Sequence, residues 1–113
     1  MSDHYLDPTD KKYTRVYKSE TPDILQAFGG FNDAVFAAEG REIPLKYREL
    51  IAVAVALSTQ CVYCIESHST KAVEAGATEA ELAEAAWVAS ALKAGGAFAH
   101  GRLAFKLSGE HTH

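Results

Sequence analysis

Cys61, Cys64 and His68 stand close together in the stretch STQCVYCIESHSTKAVEAG, and they include both cysteines of the chain. Three kinds of chemistry use such a set. The first is a redox dithiol with its own base, the second three quarters of a zinc site. The third is two small buried hydrophobes that lie near a histidine. On a helix these positions fall at i, i+3 and i+7, which puts them on one face. Cys64 and His68 are then one turn apart, within reach of a direct or water-mediated hydrogen bond. The cysteines open the helix, with Ser58 or Thr59 expected near its cap. The free N–H groups and dipole at a helix start stabilise a thiolate, the form of cysteine that attacks a peroxide or a disulfide. The dipole favours Cys61 as attacker and the histidine favours Cys64. Whichever attacks, the other cysteine resolves the sulfenic acid or mixed disulfide.

The zinc reading needs a fourth ligand, for which Glu49 or His100 is available. Three ligands on one regular helix do not easily surround a tetrahedral ion, so no metal ligand is assigned. Glu49, where the chain turns apolar, is either a solvated charge beside Lys46 or a half-buried carboxylate suited to moving protons. His100 sits beside Gly101 in AFAHGRL, where it either lines a pocket or lies on a helix surface. Trp87 and the phenylalanines Phe28, Phe31, Phe36, Phe98 and Phe105 read as core or subunit-interface residues.

The elements that must carry these residues are helices. The pattern predicts an all-α chain with helices over about 22–39, 44–59, 61–75, 79–94 and 97–107. Thr21 precedes Pro22 as a cap before a first-turn proline. Gly76 supplies a helix stop, and Thr78 with Glu81 forms a capping box for the next helix. Gly95–Gly96 reads as a break. Residues 1–18 read as a polar arm, 19–108 as the helical domain and 109–113 as a disordered tail.

At 113 residues the chain is one domain, with 48% hydrophobic and 23% charged residues. Its net charge of −4 and scattered basic residues argue against nucleic acid as a partner. The longest apolar run, Leu50 to Leu57, falls far short of the ~20 residues of a membrane span. The N-terminus lacks the apolar core of a secretory signal, and the chain is read as cytoplasmic. In a reducing compartment a CxxC pair is more often catalytic or metal-binding than a structural staple. Broad alanine-rich apolar faces on so short a chain predict burial against other subunits.

The spacing E-x11-C-x2-C-x3-H, from Glu49 through Cys61 and Cys64 to His68, resembles the core of the alkylhydroperoxidase D-like proteins in the carboxymuconolactone decarboxylase superfamily. The flanks LKYRELIAVAVAL and HSTKAVEAGATEAELAEA agree, and the resemblance covers about residues 20–107. It implies an all-α, homo-oligomeric protein, a trimer or hexamer. It also implies peroxidase or disulfide-reductase activity with no organic cofactor. Carried over by position, Cys64 is the peroxidatic and Cys61 the resolving cysteine, with His68 and Glu49 as a proton relay. Peroxidase members have a second histidine between the cysteines. Here that position is Tyr63, whose ordinary pKa of about 10 suits proton transfer at neutral pH less well. Tyr63 and His100 are the candidate pocket residues.

The expected function is therefore a thiol-dependent, antioxidant oxidoreductase. Its partners are a hydroperoxide or disulfide substrate and a reductant, either a dithiol protein or a small thiol. Two other readings stay open: a helical zinc-binding or redox-sensing module, and a non-redox enzyme of the same superfamily acting on a small carboxylated substrate.

Overall fold

A computed structural model describes residues 7–109, and every element in it is helical. Asp7 starts the chain's first turn of 3-10 helix, Pro8–Tyr13, by accepting the Thr9 N–H at 3.0 Å and the Thr9 hydroxyl at 2.8 Å. Helix α1, Thr14–Glu20, follows directly, so the predicted polar arm is largely helical where it is described. Residues 1–6 and 110–113 lie outside the described part, and with them most of the predicted tail.

Helix α2 spans Pro22–Val35 with proline at its start, as expected. Thr21 precedes it, but the Thr21 hydroxyl donates to the Tyr17 carbonyl at 3.2 Å and so closes α1 instead of capping α2. Helix α2 also ends four residues before the predicted boundary. Its last carbonyls are taken by two arginines from beyond the helix. Arg41 donates to Ala34 O from Nε at 3.1 Å and from Nη2 at 2.9 Å. Arg48 donates to Val35 O and to Ala37 O, each at 2.7 Å. Cationic donors at orphan carbonyls are a favourable way to stop a helix.

Helix α3, Leu45–Thr59, and helix α4, Val62–Glu74, form a tight antiparallel pair. Gln60 turns the chain between them in the left-handed region at φ 57°. Helix α4 ends in a Schellman motif, in which Gly76 N–H reaches Val73 O and Ala77 N–H reaches Ala72 O, both at 2.9 Å. Gly76 provides the φ of 100° that this motif requires. The predicted capping box then forms, with Thr78 N–H on Glu81 Oε1 at 2.9 Å and Glu81 N–H on Thr78 Oγ1 at 3.1 Å.

From there helix α5 runs unbroken over Glu79–Gly109, 31 residues and about 46 Å. The predicted break at Gly95–Gly96, between helices 79–94 and 97–107, does not occur. Glycine in a helix costs about 1 kcal/mol but leaves its N–H and C=O free to continue the ladder. With no proline or competing side-chain acceptor there, the helix continues.

The core is small. Val53, Ala72 and Ala77 are buried together, with Leu50, Leu57 and Leu82 packed around them. Helix α3 lies at the centre, against α4 on one side and the first half of α5 on the other. Alanines at the contacts let the helices approach closely, and Lys93 Nζ pins α5 to the Ser58 carbonyl at 2.9 Å. Large apolar side chains along α2 and α5 remain exposed, among them Phe28, Phe31, Trp87, Leu92, Phe98 and Phe105.

Candidate active site

The reversal at Gln60 makes Cys61 the first residue outside α4, and its own sulfur caps the helix. Cys61 Sγ accepts the Cys64 N–H at 3.2 Å. This replaces the expected cap at Ser58 or Thr59, because both of those residues still belong to α3. Their hydroxyls donate back along it, to Ala54 O at 2.9 Å and Val55 O at 3.0 Å. Cys61 and Cys64 are joined in a disulfide with their Cα atoms 5.2 Å apart. Both residues are half-buried.

One turn further along α4, His68 meets Glu49 of α3. The antiparallel pairing of the two helices sets His68 Nδ1 2.6 Å from Glu49 Oε1. With the carboxylate ionised it can only accept; Nδ1 is then the donor and Nε2 the acceptor nitrogen. Glu49 is 2% exposed and the one buried charged residue among those described. It does not pair with Lys46. That lysine instead forms an ion pair with Glu81 at 2.9 Å, across the start of α5. The imidazole also meets Phe36, whose ring lies 4.8 Å from it at a tilt of 31°.

The hydrogen bonds at this site thus join Cys64 to Cys61 and His68 to Glu49. The direct Cys64–His68 bond that their spacing allows is not among them while the disulfide is closed. Beside Glu49 a cleft of about 350 Å³ opens between α2, α3 and α4, lined by Asn32, Asp33, Phe36, Leu45, Lys71 and Glu74. A second cleft, of about 430 Å³, lies on the outer side of α4 against Lys11, with Tyr63, Ser67 and Thr70 in its wall. Among the described residues, no group of three or more His, Cys, Asp or Glu side chains is arranged around a metal-sized space.

Tyr63 is exposed, and its hydroxyl donates to Asp10 Oδ2 at 3.2 Å, tying α4 to the N-terminal 3-10 turn. The negative charge of Asp10, and then the hydrogen bond to it, raise the phenol above its ordinary 10.0. Tyr63 is therefore a neutral donor at physiological pH. His100 is not brought to the disulfide. It is exposed on the second half of α5, with Nδ1 donating to Gly96 O of its own helix at 3.1 Å. Position 100 falls past the stretch of α5 that packs against α3, which is why this candidate pocket residue stays apart. Phe36 and Arg48 were not foreseen as parts of the site.

Residues 22–107 match the Carboxymuconolactone decarboxylase family. A protein of Paracoccus denitrificans, known as uncharacterized protein 4 in the cox locus, is 43% identical over 87 residues, 77% of each chain. An uncharacterized protein of Haemophilus influenzae is 47% identical over 51 residues, 45% of this chain and 43% of its own. Among solved structures, a protein from Methanobacterium thermoautotrophicum superposes with a TM-score of 0.69 at 36% identity. The match covers 77% of this chain and 98% of that one. The apo form of a carboxymuconolactone decarboxylase family protein from Legionella pneumophila gives 0.65 at 28% identity, over 74% and 73% of the two chains. A helical fold, a family match over residues 22–107 and a solved structure of a family member that superposes on it lead to one conclusion: the chain belongs to the carboxymuconolactone decarboxylase family.

Proposed function

We propose that the protein is a thiol-dependent oxidoreductase that cycles Cys61 and Cys64 between dithiol and disulfide. The observation that carries this reading is a CxxC disulfide at a helix start, one turn from a buried Glu49–His68 pair. In the reduced form Cys64 gives its proton to His68 Nε2, while Glu49 holds the imidazole through Nδ1. With a hydroperoxide, the Cys64 thiolate attacks the outer oxygen. The O–O bond breaks, and an alcohol and a Cys64 sulfenic acid result. Cys61 then attacks that sulfur, which releases water and closes the disulfide. A dithiol protein or small thiol reopens it and is itself oxidised. With a disulfide substrate the first attack gives a mixed disulfide, and Cys61 releases the second thiol.

Two features favour disulfide exchange over rapid peroxide turnover. Tyr63, held as a neutral phenol by Asp10, adds no proton shuttle between the cysteines. Cys61 already receives a helix N–H on its sulfur, which stabilises it as a leaving thiolate. The protein is read as a cytoplasmic homo-oligomer, a trimer or hexamer. The apolar faces of α2 and α5, which a lone chain leaves in water, support the assembly. No helix among the described residues is long and apolar enough to cross a membrane.

The test is turnover with a thiol reductant, using an organic hydroperoxide and a small aromatic disulfide in parallel. Cys64→Ser abolishes both activities, and Cys61→Ser stops the cycle after one equivalent. A second reading draws on the cleft beside Glu49, where Lys71 could receive a small carboxylate while the Glu49–His68 pair moves a proton without redox change. Activity that survives replacement of both cysteines by serine would favour it.

A further inference from the structure

The relay has a side that the cysteine motif does not reveal. Phe36 stands at the end of α2, and its ring lies 4.8 Å from the His68 ring. Phe36 and Glu49 both line the 350 Å³ cleft, whereas His68 does not. The backbone on either side of Phe36 is fixed by a single side chain. Arg48 donates to Val35 O and to Ala37 O, each at 2.7 Å, and to Ile43 O at 2.9 Å. Arg48 adjoins Glu49 on α3. Two successive residues of one helix therefore place the two groups that touch the imidazole: Arg48 sets the phenylalanine and Glu49 supplies the carboxylate.

We propose that Phe36 is a positioning residue for His68, clamped by Arg48, and that its ring holds the imidazole plane in line with the Glu49 carboxylate. The proposal rests on the Glu49–His68 relay described above. Aromatic contact fixes the plane of the imidazole, and with it the direction of Nε2. The same ring lies between the imidazole and the cleft that Phe36 lines, so its removal opens the Glu49–His68 bond to cleft water. Arg48 suits this clamp because a planar guanidinium bonds several carbonyls at once, which a lysine cannot do.

The experiment is nitrogen-15 NMR of the His68 ring in the oxidised protein, where no turnover is needed. Two quantities are read: the tautomer, and the rate at which the Nδ1 proton exchanges with water. Wild type is expected to hold the Nδ1–H form with slow exchange. Phe36→Ala should mix the tautomers and speed exchange about tenfold, the scale of one aromatic pair. Phe36→Tyr, which keeps the ring, should restore the wild-type values, and Arg48→Lys should move both readouts in the same direction as Phe36→Ala. Should Phe36→Ala not fold, Phe36→Val, too short to reach the imidazole, carries the comparison. A folded variant without the ring that keeps the wild-type tautomer and exchange rate overturns the proposal. Failure of the oxidoreductase reading has a different signature: exchange responds to Phe36, yet alkylation of Cys64 ignores His68→Ala.

Discussion

At the scale of single residues, the arrangement turns on a carboxylate almost wholly shielded from water and held 2.6 Å from an imidazole. Such a pair resists the loss of either partner, because the survivor is left buried and uncompensated. His68→Ala is therefore expected to cost about 3 kcal/mol or more in urea unfolding of the oxidised protein. Glu49→Gln, which keeps an acceptor for Nδ1, should cost clearly less. Equal and small losses for both variants would contradict the pairing. The spacing of Glu49, Cys61, Cys64 and His68 was legible in the sequence because two antiparallel helices joined by only Gln60 and Cys61 convert linear distance into contact. Phe36 and Arg48 were not legible, since their roles arise where the end of α2 meets α3. No local pattern records that meeting. For His100 the sequence left a pocket and a helix surface both open, as its helical position gave no information on how far along α5 the packing extends.

At the scale of elements, the stop and start between α4 and α5 set the direction of the long helix. Gly76 holds φ 100°, and a β-carbon there would come no nearer than 3.9 Å to the Lys46 side chain. Gly76→Ala should thus cost about 1 kcal/mol through backbone strain alone, measured as a lower urea midpoint. Glu81 is held below its ordinary 4.5 first by the bond from Lys46 and then by the Thr78 N–H. A depressed carboxylate contributes stability above its unfolded pKa and loses it as pH falls through the folded value. Unfolding midpoints should therefore drop as the pH goes below about 4.5, and Glu81→Gln should flatten that drop. An unchanged pH profile in Glu81→Gln would contradict the assignment. The capping box and the Gly76 stop could be read from the sequence because each is a local hydrogen-bond device. The unbroken α5 could not, because glycine permits a break without imposing one.

At the scale of the whole molecule, the chain exposes 9013 Å² of surface, against about 6,100 Å² for a compact monomer of 12.2 kDa. Its radius of gyration is 19.0 Å, against about 13 Å for a compact chain of this length. The second half of α5 and the outer face of α2 carry much of the apolar excess. Sedimentation should give a homo-oligomer, and Trp87→Glu combined with Phe98→Glu should lower its mass. A monomer at all concentrations would contradict the proposed assembly. The proposed cycle requires one activated thiol at the disulfide. The most direct test of that thiol is the rate of iodoacetamide alkylation of the reduced protein against pH, in wild type, Cys61→Ser, Cys64→Ser and His68→Ala. An apparent thiol pKa well below the free value of ~8.5, carried by Cys64 and lost in His68→Ala, is the predicted result. Both thiols titrating near the free value, with no response to His68, would contradict it.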